Sequence, residues 1–302
     1  MEVLAQAVLN GALIGLVYAL IAVGLTLVYG VMDVINFAHA EFMMLGMFGG
    51  YVFSSAFGID PLIAAPIVGL IIFVIGAATE RIIIEPLLRS HSSTQVMATV
   101  GLGLVLASIM ALIFGNTSRS ATTPYQGQSI SILGLNASAP YLYAGIYALV
   151  VAGLLWFFLS RTETGRAMRA TAQNRNAATL MGINSKSMYM LAFGIGTGLA
   201  GLAGAVILPY TLVHPYIGQQ YVLIMFTVVV LGTLGSVKGA LIAGVVVGVI
   251  QSLTSQYLKT EMQNLVVFVV FFVVLVLVPG GGIKAIRHKI ERRGRRVSHQ
   301  PA

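Results

Sequence analysis

The chain has 302 residues, of which 58% are hydrophobic and 9% are charged, and its formal net charge is +8. Soluble domains carry about 25% charged residues. This composition therefore excludes a soluble globular protein, because too few polar side chains are present to cover its surface. The chain contains no cysteine, which excludes disulfides, thiolate catalysis and cysteine-ligated metal sites.

Apolar runs long enough to cross a membrane recur along the chain. A helical span needs about 20 apolar residues to cross a hydrocarbon core about 30 Å thick. The first run lacks a positively charged start and a cleavage site, so we expect a retained span rather than a signal peptide. The sequence predicts an all-α, polytopic transmembrane bundle of about eight to ten spans. The candidate spans lie near 4–29, 36–56, 61–80, 93–114, 140–160, 188–208, 221–235, 239–256 and 263–279.

Two basic segments set the predicted orientation. Lysine and arginine cluster in 161–187 and in 284–302, without the interleaved aromatic residues of a nucleic-acid platform. Such segments beside spans mark the cytoplasmic side, so we expect a membrane domain at 1–283, a cytoplasmic tail at 284–302 and no nucleic-acid partner. The polar, nearly uncharged segment 115–139 then lies outside. Nine full spans also place the N-terminus outside, whereas a broken second segment would place it inside.

The segment 31–46 places Asp33, Asn36, His39 and Glu41 among apolar residues. Ionisable groups at membrane depth are costly and normally face a cavity or a partner. One interpretation is a broken helix that lines a translocation path and offers free backbone N–H groups. The other is a short interfacial loop in which Asp33 or Asn36 caps the next helix. No second ligand stands at metal-binding spacing from His39 and Glu41, so we expect no metal site.

The segment 194–205 contains a GxGxxG string like that of dinucleotide-binding proteins. No strand is predicted before it and no acidic residue follows about 20 positions later, as that fingerprint requires. Small residues three or four apart instead allow helix backbones to approach closely inside a membrane. We therefore predict helix packing for the glycines of this segment, which are Gly194, Gly198, Gly201 and Gly204.

The glycine-rich turn 231–240 lacks the GK[ST] sequence of a Walker A loop, and no other part of the sequence matches it. The sequence also contains no zinc-binding motif, nucleophile elbow or cofactor loop. We expect a chain that is not an enzyme, with no catalytic residue and no cofactor. If transport uses ATP, another chain must hydrolyse it.

The polar segment 161–187 is the longest interruption between the predicted spans. An amphipathic stretch begins near Gly165, and a second short helix is predicted from Arg175 to Met181. It ends at Gly182, because glycine commonly terminates helices. One interpretation is that this small apolar helix docks into a groove on a soluble partner. The other is a membrane-surface helix attracted to anionic lipid.

Two stretches, GLTLVYGVMDVINFAHAEFMMLG at 24–46 and TETGRAMRATAQNRNAATLMGIN at 162–184, resemble a known family. They are similar, in this order, to signatures of the permease subunits of branched-chain amino acid ABC importers. The stretches 226–252 and 276–281 also fit, so the resemblance covers nearly the whole chain. The sequence departs from the family at two positions: Asn176 replaces a Glu of the importer motif, and Ala40 replaces a Gly.

The resemblance implies a multi-pass permease subunit of the bacterial inner membrane that imports branched-chain amino acids. The implied partners are a second permease subunit or a second copy of this chain, two ABC ATPase subunits, a periplasmic substrate-binding protein and the lipid bilayer. It also implies an ATPase-coupling surface made of Ala177, Ala178, Leu180, Met181 and Gly182.

Two other functions remain open at the level of sequence. A permease of the same family for urea or short amides is one alternative. An ion-coupled secondary carrier is the other, and it would need paired charges inside the membrane. Asp33, His39 and Glu41 are the only close cluster of ionisable residues of this kind in the sequence, and with Asn36 they are the candidate residues of a translocation path.

Overall fold

The computed structural model of the chain describes residues 2–132 and 134–277. The predicted basic tail, 284–302, and the predicted end of the membrane domain at 283 lie outside these residues. The described helices are α1 (Glu2–Met32), α2 (His39–Phe57), α3 (Pro61–Thr79), α4 (Glu85–Leu87), α5 (Ser92–Phe114), α6 (Ala139–Arg161), α7 (Glu163–Gln173), α8 (Arg175–Leu180), α9 (Ser185–Ile207), α10 (Ile217–Gly232), α11 (Val237–Tyr257) and α12 (Gln263–Leu277). A π-helix (Glu80–Ile84) joins α3 to α4, and 3-10 turns follow α9 (Leu208–Tyr210) and precede α12 (Thr260–Met262).

The prediction of a polytopic helical bundle is confirmed. Each of the nine predicted apolar runs forms a helix within the described residues. Six helical segments there are long and apolar enough to cross a membrane, judged by length and composition. The remaining runs form α2, α10 and the described part of α12, of which α10 has 16 residues and α12 has 15.

The segment 115–139 contains a small β-hairpin that the all-α prediction missed. Strands β1 (Ser129–Ile132) and β2 (Leu135–Ser138) pair antiparallel. The Asn136 backbone N–H donates to Gln6 Oε1 at 2.8 Å, so the first turns of α1 lie beside this outer segment. The N-terminus is therefore on the side to which charge assigns 115–139.

The second helix returns to the side of the bundle on which the N-terminus lies. Near its end, the Arg119 guanidinium donates to the Tyr51 hydroxyl at 3.1 Å. Just beyond it, the Tyr125 hydroxyl donates to Asp60 at 2.9 Å. The expectation that a broken second segment would reverse the N-terminus is therefore wrong, because α2 completes the crossing that the break interrupts.

Helix α9 lies at the centre of the bundle, in contact with α1, α2 and α3. Helix α1 packs antiparallel on α11 through small residues. A methyl group added at Gly15 would lie 2.6 Å from the Gly244 carbonyl oxygen, and one added at Gly11 would lie 2.8 Å from that of Gly248. Close backbone contact of this kind is how membrane helices associate where lipid removes the hydrophobic driving force.

Candidate functional site

A non-helical segment, 33–38, separates α1 from α2 and begins the candidate path; we call it the helix break. Asp33 adopts a left-handed φ of 57°, which reverses the chain at the end of α1. The Asn36 side-chain oxygen accepts a hydrogen bond from the Ala38 N–H at 3.1 Å. Ala38 itself has no side chain that can cap α2. The first turn of α2 therefore has no side-chain cap, and its His39 and Glu41 N–H groups donate to the backbone carbonyls of Asn36 and Ala38.

The first turn of α2 lies deep in the bundle. His39 Nε2 is 3.2 Å from the Ile21 carbonyl oxygen, which belongs to the interior of α1. A methyl group added at Gly24 would lie 3.1 Å from the same nitrogen and 2.5 Å from the carbonyl oxygen of Gly196, the central residue of α9. The chain therefore enters the membrane as an irregular segment, and α2 starts near mid-depth.

Three of the four predicted path residues are buried in the bundle. Asn36 and His39 are fully buried and Glu41 is 4% exposed. His39 contacts α1, whereas Glu41 contacts α5 and α10, so these two side chains lie on different sides of α2. Asn36 Nδ2, His39 Nδ1 and Glu41 Oε2 have no hydrogen-bond partner among the described residues, and buried polar groups without partners cost free energy. Asp33 is exposed just after the end of α1.

A cavity of about 220 Å³ lies beside Glu41. It is formed by α2, α5 and α10 and lined by Phe37, Glu41, Val100, Gly103, Leu104, Gln219 and Val222. Gly218, in the first turn of α10, leaves no room for a side chain, because an added methyl group would lie 2.6 Å from Glu41 Oε1. The sequence pattern did not identify the α5 and α10 residues that line the cavity, because all of them except Gln219 lie inside ordinary apolar runs.

The four glycines predicted for helix packing lie on two faces of α9. Gly194 and Gly198 face α3, where an added methyl group at either would lie 3.0 Å from Phe73. Gly201 packs on Ile72 of α3, where an added methyl group would lie 2.6 Å from its side chain, and on Gly46 of α2. Gly204 contacts the backbone of α2. These contacts fix α2, and with it the first turn beside the helix break.

At the end of the bundle opposite the β-hairpin, the polar segment 161–187 folds into α7 and α8. The Thr162 hydroxyl accepts a hydrogen bond from the Gly165 N–H at 3.0 Å and caps α7. The Asn174 side-chain oxygen accepts from the Ala177 N–H at 3.0 Å and caps α8. Side-chain caps of this kind each contribute about 1 kcal/mol.

The end of α8 is closed by a Schellman motif. The Ile183 N–H donates to the Ala178 carbonyl and the Gly182 N–H donates to the Thr179 carbonyl, both at 3.0 Å. Gly182 has a φ of 83°, which glycine adopts without strain. We call residues 175–183 the coupling tip.

The coupling tip presents apolar side chains to solvent. Leu180 is 87% exposed and Met181 is 83% exposed, whereas Ala178 is only 4% exposed. Ala177 and Gly182 are also exposed. Of the five predicted coupling residues, Ala178 therefore faces the protein and anchors the helix. A six-residue helix is too short for its sequence to show which side is buried.

Side-chain contacts connect the coupling tip to α9, and α9 to α4. The Arg175 guanidinium carbon lies 5.2 Å from the centre of the Tyr189 ring of α9. The Lys186 ammonium, at the start of α9, lies 2.7 Å from Glu85 of α4. Glu85 also pairs with Arg81. The tip is therefore joined to α9, and through α9 to the end of the third span.

These features, a helical bundle of the membrane with a buried polar helix break and an exposed coupling tip, define a membrane permease. A family model described as branched-chain amino acid transport system / permease component matches residues 7–275. The chain belongs to this family, as its resemblance predicts. The family is one of transport permeases, and the chain is accordingly a multi-pass membrane protein.

Three relatives cover 91% of this chain and 94% of their own length. Two are high-affinity branched-chain amino acid transport system permease proteins named LivH, from Salmonella typhimurium at 34% identity and from Escherichia coli at 33%. The third is the corresponding protein BraD of Pseudomonas aeruginosa, at 29%. No solved structure matches this chain significantly.

Proposed function

We propose that this chain is the permease subunit of an ATP-driven importer of branched-chain amino acids in the bacterial inner membrane. It forms the translocation path together with a second permease, which is either a related subunit or another copy. Support comes from the relatives that cover 91% of the chain, which are named for branched-chain amino acid transport. The observation that carries the ATP-driven part is the exposed apolar coupling tip.

The helix break and the first turn of α2 form the polar part of the path in this proposal. Asn36, His39 and Glu41 are buried and carry polar atoms without partners among the described residues. Polar groups at membrane depth normally mark substrate pathways, and discontinuous helices commonly build such sites. Asp33 belongs to the inner mouth, since it is exposed at the end of α1.

The coupling tip docks into a groove on the ATPase subunits. Leu180 and Met181 supply the apolar contacts, and Ala177 and Gly182 allow the partner to approach the backbone. Burying a leucine or methionine side chain contributes about 1.5–3 kcal/mol, so the two side chains anchor a stable contact. Because the chain itself has no nucleotide-binding motif, ATP hydrolysis belongs to these separate subunits.

The mechanism is alternating access. A loaded substrate-binding protein docks on the outer face, where the hairpin and the 115–128 loop lie, and the ATPases close on the inner face. Each partner shifts the equilibrium between the two conformations only by its difference in affinity for them. Arg175 connects the tip directly to α9, and the ion pair of Lys186 with Glu85 connects α9 to the end of the third span.

The test is uptake of radiolabelled leucine, isoleucine and valine into proteoliposomes. One preparation contains this chain with its partner permease, ATPases and binding protein. A matched preparation contains this chain and the partner permease alone. We expect ATP-dependent uptake in the first and none in the second. Uptake without ATPases under a proton or sodium gradient would instead establish a secondary carrier, and uptake of urea in place of the amino acids would establish the alternative substrate.

A further inference from the structure

The cavity beside Glu41 has the chemistry of a binding site for a cationic group with an apolar extension. Its walls include Phe37, Leu104 and Val222, and Glu41 is the acidic residue among those that line it. Its volume of about 220 Å³ exceeds that of an engineered cavity of about 150 Å³ that binds benzene. A short branched aliphatic chain therefore fits the space.

The Glu41 carboxyl group is held in place but left without a polar partner on one side. It is 4% exposed, and its Oε2 has no hydrogen-bond partner among the described residues. A methyl group added at Gly103 of α5 would lie 3.4 Å from Glu41 Cγ, and one added at Gly218 of α10 would lie closest to Oε2, so this oxygen packs against α10. Two glycines thus make room for this carboxyl group.

The charge of Glu41 is supported by the ends of two helices. Glu41 lies in the first turn of α2, and Gly218 lies in the first turn of α10. The N-terminus of a helix carries a partial positive charge that stabilises an anion. These partial charges offset part of the cost of burying the carboxylate, and pairing with a cation that enters the cavity would stabilise it further.

The position of the cavity shows what it faces. Val100 and Leu104 of α5 are 44% and 56% exposed in the isolated chain, and Gln219 of α10 is exposed. The cavity therefore reaches the surface between α2, α5 and α10. A carboxylate that opened into hydrocarbon would lack water and a counter-charge, so this opening belongs to a water-filled path or to a subunit contact.

We propose that Glu41 is the specificity-determining residue of the path and binds the protonated amine of the passing solute while its aliphatic chain lies on Phe37, Leu104 and Val222. The inference rests on the proposed function and adds a chemical requirement to it, which is an ammonium group on the solute. Neutral amides and carboxylic acids of the same shape lack the charge that pairs with Glu41.

The chain contains no cysteine, so a single Val222→Cys substitution places one reactive thiol of the chain in the cavity. The assembled importer in liposomes is treated with a cationic reagent, 2-aminoethyl methanethiosulfonate, or an anionic one, 2-sulfonatoethyl methanethiosulfonate. Labelling of this chain is followed by mass spectrometry. We expect the cationic reagent to react at least about tenfold faster, because a carboxylate nearby attracts it and repels the other. Adding Glu41→Gln should reduce this preference to nearly none.

The same thiol reports which solutes enter the cavity. Leucine and 3-methylbutylamine, which carry an ammonium group, should slow labelling of Val222→Cys, whereas 4-methylpentanoate should not. Glu41→Gln should abolish protection by the amine. Leu212→Cys, on the exposed outer loop, is the control thiol and should show neither preference nor protection.

A second substitution keeps the test valid if Glu41→Gln fails to assemble. Gly218→Ala pushes the carboxyl group aside without removing it and should lower leucine uptake and the cationic preference together. Gly153→Ala is the matched control, since nothing lies within 4 Å of an added methyl group there.

The outcomes separate this inference from the proposed function. Equal labelling by both reagents, protection by 4-methylpentanoate, or unchanged protection in Glu41→Gln would overturn the role of Glu41, even in an importer that moves leucine. Absence of leucine uptake by the unmodified importer would overturn the proposed function. The labelling rates of Val222→Cys would still show whether Glu41 attracts cations into the cavity.

Discussion

The helix break and the coupling tip are both places where a helix begins or ends abruptly, but they leave opposite kinds of groups unsatisfied. At the break, apolar groups are packed, and polar atoms of Asn36, His39 and Glu41 have no hydrogen-bond partner in the part of the chain that the structure describes. At the tip, the helix ends are hydrogen-bonded and the apolar side chains of Leu180 and Met181 are exposed. The first arrangement suits a small polar solute, and the second suits an apolar groove on a protein.

The largest expected effect concerns the exposed apolar side chains of the coupling tip. Replacing Leu180 and Met181 together by Asp should abolish ATP-driven uptake and co-purification with the ATPases, because two charges would enter the apolar groove. Since both side chains are exposed, the folded chain should lose no more than about 0.5 kcal/mol. Uptake, co-purification and the unfolding temperature of the purified permease check this.

Ala172→Asp is the matched control for the tip. Ala172 is exposed on α7 and lies outside the coupling tip, so the same new charge there should leave uptake and co-purification unchanged. Normal uptake by the Leu180/Met181 double variant would exclude the tip as the ATPase contact. A large drop in its unfolding temperature would instead show that these side chains stabilise the permease itself.

A prediction of intermediate size concerns the packing that holds the helix break in place. In Gly46→Ala the new methyl group collides with the Gly201 backbone, so α2 must move away from α9. Overpacking of this kind costs about 1–3 kcal/mol. The unfolding temperature of the detergent-solubilised complex should fall, and uptake should fall with it.

Gly101→Ala provides the comparison for Gly46→Ala. Nothing lies within 4 Å of a methyl group added at Gly101, and alanine favours the helix by about 1 kcal/mol over glycine. Its unfolding temperature should be unchanged or slightly raised. Equal behaviour of the two variants would show that the close approach of α2 and α9 does not hold the break in place.

The smallest effect concerns the ion pair between the start of α9 and α4. Lys186→Met removes the contact with Glu85, and the side chains of both residues are partly solvated. Exposed ion pairs contribute about 0–1 kcal/mol, and the loss should shrink as salt screens the charges. The unfolding temperature at low and high salt measures this.

Lys259→Met is the control for Lys186→Met. Lys259 is exposed and forms no ion pair with the described residues. The difference in unfolding temperature between Lys259→Met and the unmodified protein should not depend on salt. If Lys186→Met lowers uptake well beyond its small effect on stability, the ion pair acts in coupling as well as in folding.

The sequence predicts the helices well because helix formation in lipid depends on the local run of apolar residues. Long apolar runs must be helical in lipid, where every backbone polar group needs a partner, and the nine predicted runs are indeed helices. The sequence also predicts the end of α8 at Gly182, because the residue that adopts a left-handed backbone conformation at a helix end is usually glycine. Family membership, predicted from the stretches at 24–46 and 162–184, is confirmed over residues 7–275.

The remaining features depend on contacts distant in the chain. The run 36–56 has the composition of an ordinary span, so its start at mid-depth follows only from the contacts of His39 with α1 and α9. Glu80 ends an apolar run, yet the π-helix buries it, and both of its carboxylate oxygens lack hydrogen-bond partners among the described residues. The cavity beside Glu41 is also formed by α5 and α10. No local sequence pattern predicts how these helices are positioned relative to α2.

The glycine contacts of α9 have a mechanical consequence. Gly24, Gly46 and Gly69 bring α1, α2 and α3 into backbone contact with α9, and close-packed groups of this kind have little room to slide. These four helices therefore act as a rigid frame. Arg175 of the coupling tip contacts Tyr189 of α9, so we expect a displacement of the tip to move these four helices together.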